Sequence, residues 1–163
     1  MKALELSNME DSLRLTFEGA FDPRAALKDV LDPFFRALEE HAGDWMPEVV
    51  SGRRRLKYSR ANLWKALEER RDGDNTALGL YRTKWPALDS RLSLWFPPQS
   101  PALDVMTTVQ PLSLFAQEAR CRQFVEMVRA WASRYPVSYA MAHSVADRAS
   151  AGAPRFGRDQ QTS

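Results

Sequence analysis

The stretch "SRYPVSYAMAHSVADRAS" (133–150) brings an imidazole, a hydroxyl and a carboxylate, His143, Ser144 and Asp147, within five positions. These are the groups of nucleophilic hydrolysis. In working triads, however, they come from distant points of the chain and meet in space. The run "VSYAMAHSV" alternates like a strand, which turns His143 and Ser144 to opposite faces, out of each other's reach. No glycines surround the serine, as a sharp nucleophile turn requires. The stretch therefore reads as a strand end with polar side chains. Metal chemistry has no better footing: His41 is the only other histidine and Cys121 the only cysteine. No C-x-x-C, H-x-x-x-H or carboxylate loop has ligand spacing. The seven glycines form no phosphate-binding loop. The expectation is no catalytic residue, no metal ligand and no cofactor: a protein that is not an enzyme.

Two other features invite partners. Arg53, Arg54, Arg55, Lys57 and Arg60, with Tyr58 between them, form a basic run (53–60) that could meet phosphates. The acids Glu39, Glu40, Asp44 and Glu48 precede it, and 23 basic against 21 acidic residues leave a net charge of only +2. The run is read as a solvated loop paired with those acids, and nucleic acid as a disfavoured partner. The second feature is aromatic. Of the tryptophans, Trp131 and Trp64 fit core stripes. Trp45 and Trp85 lie beside prolines, and Trp95 falls on the polar register of a strand. Aromatics so placed either cover core ends or anchor protein interfaces.

The elements that would position these residues follow from periodicity. "SLRLTFE" (12–18) alternates as a strand. Asp22 and Pro23 signal a helix start, and the apolar face from Leu27 to Leu38 carries it, interrupted by Pro33, to an end by Gly43. Ser59 caps a second helix with Leu63, Trp64 and Leu67 inward. Residues 76–81, 90–96 and 102–110 read as strands. The stretch 111–135 reads as one long amphipathic helix with Cys121 on its buried stripe, and residues 137–145 as a last strand. The order predicts an α+β fold, a mostly antiparallel sheet with two or three helices packed on one face. Residues 1–150 are read as a single domain and 151–163 as a flexible polar tail. Nothing approaches the ~20 apolar residues of a membrane span, the opening "MKALELSNMEDSLRL" shows no apolar core of signal-peptide length, and a lone cysteine argues for no disulfide. A cytoplasmic protein is expected.

The opening "LRLTFEGAF", the "LSLWFPP" strand and the module "FVEMVRAWASRYPVSYAMAHSVAD" resemble bacterial immunity proteins of polymorphic-toxin and type VI secretion systems. The resemblance is to the family that neutralises restriction-endonuclease-like nuclease toxins and covers residues 12–148, apart from the charged loop 51–75. It implies stoichiometric binding of a cognate toxin. Since nuclease clefts are basic, it also implies a contact surface of carboxylates with aromatic anchors. Asp72, Asp74, Trp85 and Asp89, expected at one end of the 76–96 hairpin, are the partner-binding candidates. A homodimer stays open. So do a nucleic-acid-binding accessory protein using 53–60, an enzyme with a dispersed site, and a structural component of a phage or secretion apparatus.

Overall fold

A computed structural model describes residues 11–69, 76–87, 89–96 and 102–145. The expected tail 151–163 lies outside these residues. Strand β1 (Leu13–Ala20) leads to helix α1 (Leu27–His41), the short strands β2 (Val49–Ser51) and β3 (Arg55–Lys57), and helix α2 (Arg60–Glu68). Strands β4 (Thr76–Arg82), β5 (Asp89–Phe96) and β6 (Ala102–Gln110) follow, then helix α3 (Glu118–Arg134) and strand β7 (Val137–Ser144). The seven strands make one antiparallel sheet in the order β3-β2-β4-β5-β6-β1-β7. The expected α+β class is what the chain adopts.

Period-two burial explains the layering. Leu15 and Phe17, Leu78 and Leu80, Leu92 and Leu94 are buried on the face that meets the helices, while the residues that alternate with them, Thr16, Gly79 and Ser93, are not. The helices close this core with aromatics. Trp131 of α3 stacks on Phe34 of α1 at 4.2 Å and donates Nε1–H to the Phe34 carbonyl at 3.1 Å. Tyr135, just past α3, donates its hydroxyl to the Val30 carbonyl at 2.7 Å, and burial raises its pKa. Facing it, β1 bulges at Glu18/Gly19. A Cβ on Gly19 would lie 2.9 Å from the Cβ of Tyr135, so only glycine allows this approach.

Several local expectations shift. Helix α1 starts at Leu27, because Asp22 serves a turn instead: its Oδ1 accepts the Arg24 N–H at 2.9 Å and its carbonyl the Ala25 N–H at 3.1 Å. Pro33 sits inside one continuous helix. Ser59 caps α2 as expected, accepting the Asn62 N–H at 3.0 Å. The long helix over 111–135 is instead a 3-10 turn at Leu112–Ala116, an extended Gln117 and then α3. Trp45 is buried, packed against Phe115 and Phe124. Cys121 is exposed, because the apolar stripe of α3 is broader than the surface the sheet offers it.

Candidate functional site

No described element covers the second face of the sheet. Its residues come from the polar registers of strands distant in sequence, and registration sorts them by charge. At one end Trp95 stands opposite Asp104, Asp104 opposite Glu18, and Glu18 opposite Tyr139. Directly opposed side chains have their Cβ atoms about 5 Å apart, so two carboxylates lie side by side, flanked by two aromatic rings. Neither Glu18 nor Asp104 has an ion pair among the described residues. Trp95 is 38% and Tyr139 41% exposed. Like charges directly opposite destabilise a sheet, while a cationic partner would relieve them. Chemically, the row can hold a guanidinium or ammonium group between rings suited to cation–π contact.

The other end of the same face is basic. Tyr81, Arg91, Thr108, Arg14 and His143 follow one another across four adjacent pairings, and Arg55 lies over the Tyr81 ring at 5.2 Å. Beyond this end, the β4–β5 loop presents Trp85, 78% exposed. Arg82 holds that loop, donating Nε–H to the Lys84 carbonyl and Nη2–H to the Trp85 carbonyl, both at 2.9 Å. Its Nη1–H reaches the Met46 carbonyl at 3.1 Å, and Glu48 lies 3.6 Å away. The indole is thus held outward by a fixed backbone. Asp89 is at this end too, committed to Arg91 at 2.9 Å.

Asp72 and Asp74 lie outside the described residues. Asp74 precedes Thr76, the first residue of β4, by two positions, whereas Trp85 and Asp89 follow the strand's far end, about 20 Å away at ~3.3 Å per residue. Trp85 and Asp89 therefore belong to the basic end of the sheet. Glu18, Asp104 and Tyr139 escaped the sequence reading. Their signal was their place on the polar registers of alternating strands, but only the pairing of β1 with β6 and β7 brings them together.

Two of the five basic residues of the run, Arg54 and Arg60, are held in ion pairs. Arg54 meets Glu69 at 2.6 Å, which holds that carboxylate below its usual pKa. Arg60 reaches Glu39 at 2.7 Å and also Asp32. The Tyr58 hydroxyl donates to Glu39 at 2.7 Å, and burial is the main cause of its raised pKa. Of the four acids expected to pair with the run, only Glu39 does so. Asp44 pairs with Arg120 at 2.6 Å, and Glu48 lies beside Arg82 and Lys84. His143 and Ser144 share β7 and point to opposite faces, with His143 Nδ1 2.9 Å from the Ser144 carbonyl. Asp147 lies outside the described residues. Among the described residues, no group of three or more His, Cys, Asp or Glu is placed to hold a metal ion, and no helix is long and apolar enough to cross a membrane. In comparisons with known proteins, no family model, no curated protein and no solved structure matches the chain.

Proposed function

We propose that this chain is an immunity protein, which binds a cognate secreted toxin in the cytoplasm of the producing cell and inhibits it by protein–protein contact. The toxin of this reading is a nuclease with a basic cleft. The observation that carries the reading is the row Trp95–Asp104–Glu18–Tyr139: carboxylates without an ion pair among the described residues, between exposed rings on an open face. Such a row is destabilising to the free protein and complementary to a lysine- or arginine-lined surface. Trp85 offers a second, pre-ordered anchor at the far end.

The test uses the polypeptide encoded beside this chain's own gene. A one-to-one complex and loss of that polypeptide's nuclease activity are expected. Glu18→Lys with Asp104→Lys keeps one like-charge pair in place of another, so fold stability should barely change, yet binding should weaken more than about 100-fold. Trp95→Ala should weaken it about 10- to 100-fold. A double lysine variant that folds and still protects cells as well as the parent chain sinks this reading. Charge reversal at Asp72 and Asp74 should weaken binding in the same direction.

A second reading, a small nucleic-acid-binding accessory protein, draws on Arg55 and Arg91 beside Tyr81 and on Arg14 farther along the same row of the open face. Binding of single strands that falls steeply with salt, and that survives the Glu18 and Asp104 changes, would favour it. The pairing of Arg54 and Arg60 with Glu69, Glu39 and Asp32 weighs against it.

A further inference from the structure

The two margins of the sheet are unlike. β3 is three residues long and carries Arg55 and Lys57, features that discourage a further strand. β7 is eight residues long and contains no Lys, Arg, Asp, Glu or Pro, and no described strand lies beyond it. Two bonds fix the phase of its backbone: Ala20 N–H to the Pro136 carbonyl and Val145 N–H to the Ser12 carbonyl, each 2.9 Å. With the register Arg14↔His143 and Thr16↔Met141, alternation directs the N–H and C=O groups of Ala140 and Ala142 away from β1, to the outer margin.

A groove of about 450 Å³ runs beside this margin, on the helix side. Cys121, Val125, Val128 and Ala132 of α3 line one wall, and Ala140 and Ala142 form the other. Val125 is 42% exposed there. The feature is thus double: a hydrogen-bonding margin and, directly above it, an apolar helix flank without cover among the described residues.

We propose that both are covered by a second copy of this chain, with β7 pairing antiparallel to its symmetry mate about a two-fold axis at Met141. In that register Ala140 stands opposite Ala142 of the other copy, and each exchanges the outward N–H and C=O that the phase provides. On the open face, Tyr139 stands opposite His143 of the other copy. On the helix face, the small Ala140 and Ala142 let the two α3 helices approach over the seam, each filling the other's groove. Charge allows this: β7 brings no ionised pair, and Arg129, the one charged residue on the groove, is held by Glu126 at 3.2 Å. The size is adequate but small. An eight-residue strand is about 26 Å long and a sheet with one helix layer about 20 Å deep, so each copy hides roughly 500 Å². The total, about 1,000 Å², is at the lower limit for a specific interface, so assembly is expected at micromolar concentrations. The seam takes in Tyr139 at the margin of the open face but leaves Trp95, Asp104 and Glu18 on the inner strands, so the proposal does not rest on the toxin reading.

Sedimentation velocity on the full chain, from about 1 to 200 µM, should show the mass rise from 18.6 kDa to twice that. Ala142→Pro removes an outward N–H without touching a bond to β1. Val125→Lys places a charge in the groove from a site already exposed, so its folding is not at stake. Both variants should remain at the monomer mass, a loss of at least about tenfold in self-affinity. Three results overturn the proposal: a parent chain that stays monomeric throughout; both variants dimerising like the parent; or slow hydrogen exchange at Ala142 in a monomer, which would mean residues 1–10 or the tail cover the margin.

Discussion

The opposed carboxylates of Glu18 and Asp104 make a prediction that needs no partner. With Cβ atoms about 5 Å apart, the charges sit about 6 Å from each other. In a water-like medium their repulsion is about 0.7 kcal/mol, and physiological salt, with a Debye length near 8 Å, cuts it to about 0.3 kcal/mol. Partial burial on the sheet raises it again, to a ceiling near 1 kcal/mol. Asp104→Asn removes one charge at nearly constant volume, and both residues are equally poor strand formers. The free protein should therefore gain about 0.3–1 kcal/mol, or about 1–3 °C in Tm for a chain of this length. Glu18→Gln should give the same gain, and the double variant hardly more, because a pair repulsion can be removed only once. Differential scanning calorimetry at about 0.02 and 1 M salt is the assay; the gain should be clear at the lower concentration and vanish at the higher. Gains that add in the double variant, or that ignore salt, would refute the reasoning, since the carboxylates would then not be acting on each other. In the toxin reading, the same stabilised variants bind more weakly.

Two further outcomes are expected. The Thr107 hydroxyl is buried without a hydrogen-bond partner among the described residues, so Thr107→Val, of nearly the same shape, should raise stability by about 1 kcal/mol in urea titration; a loss of that size would show a hidden partner. A hydrogen bond from Arg120 is the first cause holding the Asp44 carboxyl below the usual aspartate range. A lowered folded pKa gives stability that is present above the unfolded value and is lost as pH falls through the folded one. Asp44→Asn should thus cost up to about 0.5 kcal/mol at neutral pH, after discounting solvent screening, and nothing below the folded pKa; urea titrations at both pH values check this.

Where the physics is local, the chain could be read directly. Leu13, Leu15 and Phe17 announce their strand by alternation, Ser59 its cap, and Trp95 its outward register by standing among Arg91 and Ser93. Asp22 misled because the same oxygen that caps a helix also closes a turn, and exposed residues 23–26 have no burial to draw them into one. Trp45 reads as a loop residue beside Pro47; only tertiary packing against Phe115 and Phe124, some seventy residues on, puts it inside. Cys121 reads as buried because an apolar stripe says which side of a helix is hydrophobic, not how much of that side its own chain covers. The site was least legible of all. Glu18 and Asp104 become neighbours through the pairing of β1 with β6, a choice among strands that no single segment reveals.

The contrast between Arg55–Leu56–Lys57 at one border of the sheet and Val137–Ser144 at the other also sets a stopping rule for growth. Once two molecules have joined through their long uncharged borders, the joined object exposes only two stubby cationic ones, which repel each other and offer too few amides to recruit a third. Even concentrated solutions should therefore hold discrete pairs and stay free of filaments.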